Sequence, residues 1–106
     1  MIIVEKNVGL KIPYSVSEKK VTFNDDLTIN LAKRQQDWPV HIDICSNEDG
    51  ELVIGAAVGR AYVAELDVPA KEYEEPQGED KSIVPLPLDM DKVTLTLWAI
   101  KESEEE

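Results

Sequence analysis

Apolar residues recur at every second position along most of this chain, which is the spacing that sends alternate side chains of a half-buried strand to one face. Val8, Leu10 and Ile12 follow it until Pro13, whose ring offers no ladder donor and ends the run or confines it to a sheet edge. Val21 and Phe23 follow a polar Ser17-Glu18-Lys19-Lys20 link, and Asn24-Asp25-Asp26 makes a second turn. Leu27, Ile29 and Leu31 resume the alternation. Asn24 or Asp25 would equally cap a helix running through Leu27, Leu31 and Ala32 to Gln36, so strand and short helix are both open between residues 25 and 36, with the alternation favouring strand.

Beyond Trp38-Pro39, Val40, Ile42 and Ile44 face one way and His41, Asp43 and Cys45 the other, the clearest half-buried strand in the chain. Ser46-Asn47-Glu48-Asp49-Gly50 reads as a hairpin loop with Gly50 at the positive φ such loops need. From Glu51 to Val58 both faces are apolar, which predicts a central, doubly covered strand. One of those faces, Val53, Gly55, Ala57 and Gly59, is mostly small and implies that another backbone or side chain approaches closely. Ala61 to Val68 forms the next strand, closed by Pro69. Ile83-Val84-Pro85-Leu86-Pro87-Leu88 suits an edge or an extended cover, and Val93, Leu95, Leu97 and Ala99 form the last strand, backed by Thr94, Thr96, Trp98 and Ile100.

This pattern predicts an all-β domain over residues 1–101, a small sandwich or barrel of seven to eight short, mostly antiparallel strands, with one short helix within 25–36 as the alternative to a strand. A chain of 106 residues supports one core. Charge then divides the molecule. Residues 65–80 hold seven acids against Lys71, and residues 102–106 add four glutamates, so those two stretches carry ten of the eleven net negative charges. The first is expected as an acidic loop at about 70–81, the second as an acidic tail. Such a charge repels nucleic acid and anionic membranes and favours a basic protein partner.

The single cysteine cannot form an intrachain disulfide, and the opening Met1-Ile2-Ile3-Val4-Glu5 lacks the basic and continuous apolar segments of a secretory leader, so a cytoplasmic protein is expected. The chemistry-bearing residues are few. His41-x-Asp43-x-Cys45 places three metal-capable side chains on one strand face, yet residues i and i+4 lie about 13 Å apart, so all three cannot meet one zinc. Any further ligands would have to be carboxylates, since the chain has no second His or Cys. The plain reading is a polar strand face with Cys45 as a small hydrophobe, and neither metal nor other cofactor is expected. His41 and Cys45 stand too far apart on that strand for a hydrolase pair, and no nucleotide-binding glycine loop occurs.

These observations point to a non-catalytic protein-interaction or assembly module, with Trp38, Pro85, Leu86 and Pro87 as contact candidates and another protein or a second copy as partner. An acidic nucleic-acid mimic, using Glu72, Glu74, Glu75, Glu79 and Asp80, is the alternative, and a small-molecule binder or enzyme of unknown reaction is the third.

Overall fold

The computed structural model describes residues 1–56, 59, 61–74 and 84–100. Among them the chain is mostly β and forms three sheets, and none of its helices is long and apolar enough to cross a membrane. Among the described residues there are ten strands rather than seven or eight, because Ile2–Glu5, Tyr14–Ser17 and Tyr73–Glu74 add strands that the alternation did not mark, while the one expected at residues 8–12 is absent. The 102–106 tail and loop residues 75–83 lie outside the described residues.

The first sheet is a meander of β2 (Tyr14–Ser17), β3 (Lys20–Phe23) and β4 (Leu27–Asn30), paired antiparallel in that order. Its turns use residues that accept left-handed backbone: Glu18 at φ 56° in the first, Asn24 and Asp25 at 56° and 52° in the second. Both readings of residues 25–36 hold in part. The strand runs to Asn30, whose side chain accepts a hydrogen bond from Lys33 N at 3.2 Å and so caps a single helical turn over Leu31–Arg34. The cap is Asn30 rather than Asn24 or Asp25, since those two are occupied by the turn.

The second sheet contains β1 (Ile2–Glu5), β5 (Val40–Ser46), β6 (Leu52–Ile54), β7 (Ala61–Val68) and β10 (Thr94–Leu97), in the spatial order β1-β10-β7-β5-β6. Only β1 with β10 is a parallel pair. The order ends in two edges, so the sheet is open and no barrel closes. A third, two-stranded sheet pairs β8 (Tyr73–Glu74) with β9 (Val84–Pro85).

Two sequence expectations are corrected. Val8-Gly9-Leu10-Lys11-Ile12 is not a strand: Val8 is 99% exposed and only Ile12 enters the core. Gly9 adopts φ 142° and passes so close to Ala99 that a Cβ on it would lie 2.7 Å from the Ala99 Cβ, which breaks the alternation. The segment predicted as a central strand over Glu51–Val58 is not one in its described part, residues 51–56; Ala57 and Val58 lie outside the described residues. β6 is three residues long and sits at the sheet edge, because Gly55 turns the chain at φ 107°. The predicted close approach is real, however: a Cβ on Gly59 would fall 2.2 Å from the Cys45 Cβ.

One apolar cluster joins the sheets. Ile42 and Ile44 of β5, Ala64, Leu66 and Val68 of β7, and Leu95 and Leu97 of β10 belong to the same buried group as Val21, Phe23, Ile29 and Leu31 of the meander region. Each large side chain buried there contributes roughly 1.5–3 kcal/mol. The opposite face of the five-stranded sheet carries the polar residues of β5 and β7.

Candidate functional site

Strand register builds the site. β5 and β7 run antiparallel with His41 opposite Asp67 and Asp43 opposite Glu65, so two polar pairs lie side by side on the outer face while Ile42 and Leu66 meet on the inner one. Between Ile44 and Cys45 the register shifts. Ile44 faces Ala64 and Cys45 faces Tyr62, leaving Val63 as the surplus residue of a bulge whose carbonyl accepts from Trp98 N at 3.0 Å.

The His41 ring is held from both ends. Its Nδ1 lies 2.6 Å from Asp67 Oδ1, while Nε2 lies 2.8 Å from Asp43 Oδ1 and 3.3 Å from Glu65 Oε1. Its pKa is raised above the ordinary 6.5, chiefly by the Asp67 hydrogen bond; partial burial opposes this, and the Asp43 bond and the charges of both aspartates add to it. In turn, Glu65 has an outer partner. Trp98 Nε1 donates to Glu65 Oε2 at 2.5 Å, and burial first, then the nearby Asp43 charge, push the Tyr62 hydroxyl pKa up. Trp98 stacks at a tilt on Tyr62 with centroids 5.0 Å apart, and Lys6 Nζ stands 5.4 Å from the Trp98 ring centre. The Asp43 and Glu65 side chains are only 23% and 20% exposed, so these are not freely hydrated surface acids.

Cys45 stands apart from this group. It is 1% exposed, and burial first, then the charges of Asp43 and Glu65, push its thiol pKa up. The ligand-capable group is His41, Asp43 and Glu65, whose donor atoms all lie within 4.8 Å of one another. Sequence spacing placed His41, Asp43 and Cys45 on one face, allowed at most two of them to share a metal, and favoured a plain polar face. It missed Glu65 and Asp67, which it counted only as members of an acidic window. The available signal was their own i, i+2 spacing among Ala64, Leu66 and Val68, which marks the polar face of a second strand.

The interface candidates fall elsewhere. Trp38 is 61% exposed, and its neighbour Asp37 accepts a hydrogen bond from the Tyr73 hydroxyl. Val84, Pro85, Leu86 and Pro87 are exposed on and just beyond β9, with Leu86 N bonded to Glu72 O at 2.7 Å. Of the candidate acids, Glu72 is engaged by Lys92 Nζ at 2.9 Å and Glu74 is exposed on β8, while Glu75, Glu79 and Asp80 lie outside the described residues. A groove of about 660 Å³ opens between Ile12, Leu52, Tyr62, Trp98 and Ile100.

Comparison with known proteins identifies no relative: no family model, no curated protein and no solved structure matches the chain.

Proposed function

We propose that this chain is a non-catalytic interaction module that binds another protein by adding a strand to the free edge of β1. The observation that carries the reading is the composition of that edge. Ile2, Ile3 and Val4 are 50%, 42% and 42% exposed, on a strand with nothing paired to its outer side among the described residues. Edge strands of isolated domains are ordinarily blunted by charge, proline or a bulge. Here three of four residues are large and apolar. Ile2 N donates to Val93 O and Lys6 N to Leu97 O, both at 2.8 Å, so strand alternation turns the amides of Ile3 and Glu5 outward, where an incoming strand would bond them.

Affinity capture with the full chain as bait, followed by hydrogen exchange on the complex, tests this. The expected result is a partner, or a second copy, that slows exchange at Ile3 and Glu5 and is lost from Ile3→Pro, which removes one outward donor, but is retained by Trp38→Ala. Loss with Trp38→Ala and retention by Ile3→Pro would move the interface to the Trp38 and β9 surface. A monodisperse monomer that captures nothing would sink the interaction reading. The groove beside Tyr62 and Trp98 favours a second reading, a small-molecule binder, because its size and mostly apolar lining suit a ligand. Saturable ligand shifts confined to Tyr62 and Trp98, with β1 unaffected, would support it.

A further inference from the structure

We propose that His41 Nε2, Asp43 and Glu65 form a binding site for one divalent transition-metal ion of zinc's chemistry, with Asp67 as the residue that orients the histidine. The site is independent of the β1 edge.

The donor set is one imidazole nitrogen and two carboxylates, borderline and hard ligands that suit zinc and its neighbours, and it is too small for calcium, which takes six or more oxygens. With ligand bonds of about 2.0–2.1 Å, a tetrahedral site spaces its donor atoms by about 3.3 Å. His41 Nε2 and Glu65 Oε1 are separated by 3.3 Å, and Nε2 and Asp43 Oδ1 by 2.8 Å. All three donor atoms lie within 4.8 Å of one another, so the carboxylates close on the ion by side-chain adjustment alone.

The surroundings are those of a ligand set rather than of a simple ion pair. Asp67 Oδ1 at Nδ1 keeps a proton on that nitrogen and turns the Nε2 lone pair toward Asp43 and Glu65, the carboxylate–histidine relation that orients metal-bound imidazoles. Glu65 is fixed from outside the group by the Trp98 indole, and the Tyr62 hydroxyl stands near Asp43. Charge argues the same way. Asp43, Glu65 and Asp67 bring three negative charges to one ring, and among the described residues no lysine or arginine forms an ion pair with any of them. A proton on Nε2 neutralises one charge; a divalent ion in its place neutralises two and bonds all three donors.

The test is titration of the full chain with zinc chloride by calorimetry, with cobalt(II) absorption reporting the ligand field. The expected result is one saturable site per chain, abolished by His41→Ala and by Glu65→Gln, weakened about 10–100-fold by Asp67→Asn, and unchanged by Glu74→Gln on the exposed β8. Binding that survives His41→Ala, or no saturable binding at all, overturns the proposal. Should His41→Ala fail to fold, the wild-type ring decides, because His41 is the sole histidine. Zinc must then displace its ring resonances, and a ring unmoved in the presence of bound zinc overturns the proposal equally.

Discussion

A single strand, β5, presents Ile42 and Ile44 to one side and His41 and Asp43 to the other, and the two faces obey different rules. On the inner face Ile42, Ile44, Leu66 and Leu95 are held by burial, which has no preferred direction and rewards volume. On the outer face both His41 ring nitrogens and the Glu65 carboxylate are placed by specific hydrogen bonds, to Asp67 across the ladder, to Asp43 along the strand and from Trp98. Register connects them, since a one-residue slip would send His41 and Asp43 into the core and Ile42 and Ile44 to solvent. The apolar face therefore protects the polar geometry, and the polar face contributes less to folding than its density of contacts suggests.

Three substitutions sharpen that contrast. Leu66→Ala, in the fully buried layer, is expected to cost about 2–5 kcal/mol in chemical denaturation, because the cavity it leaves sits between two sheets. A loss comparable to that of an outer-face change would show that the inner layer is not the main support. Gly59→Ala is expected to cost about 1–3 kcal/mol, since the new methyl meets the Cys45 Cβ at 2.2 Å. Its second readout is the thiol: native Cys45 should resist alkylation, and Gly59→Ala should make it react faster by displacing its cover. Trp98→Phe keeps the aromatic stack on Tyr62 but removes the indole donor to Glu65. It should cost about 1 kcal/mol in the same assay, the usual net worth of one hydrogen bond.

How far the sequence reveals this depends on which residues are asked. β5, β7 and β10 are legible because alternation holds over Val40–Ile44, Ala64–Val68 and Thr94–Leu97, and Asn30 shows how strand and helix signals can both be right when one ends where the other begins. β1 was hidden because Ile2-Ile3-Val4 does not alternate, as befits an edge strand with both faces partly wet. Leu52 to Ile54 misled for the converse reason: the apolar run reads as a long central strand, but Gly55 turns the chain and Gly59 returns against Cys45. The His41 cluster was half legible. Spacing within β5 is a local property, but the meeting of Asp43 with Glu65 depends on which strands neighbour each other, and no local pattern encodes that.

The surplus residue Val63 precedes the stretch that faces His41, so the count from Ala64 to Val68 proceeds undisturbed by whatever the chain does upstream. Length variation before Ala64 would be absorbed where the ladder is already irregular, leaving both carboxylates beside the imidazole. One residue inserted between Glu65 and Asp67 would instead rotate one of them to the greasy side, so tolerance to insertion should change abruptly within a few positions of the same strand.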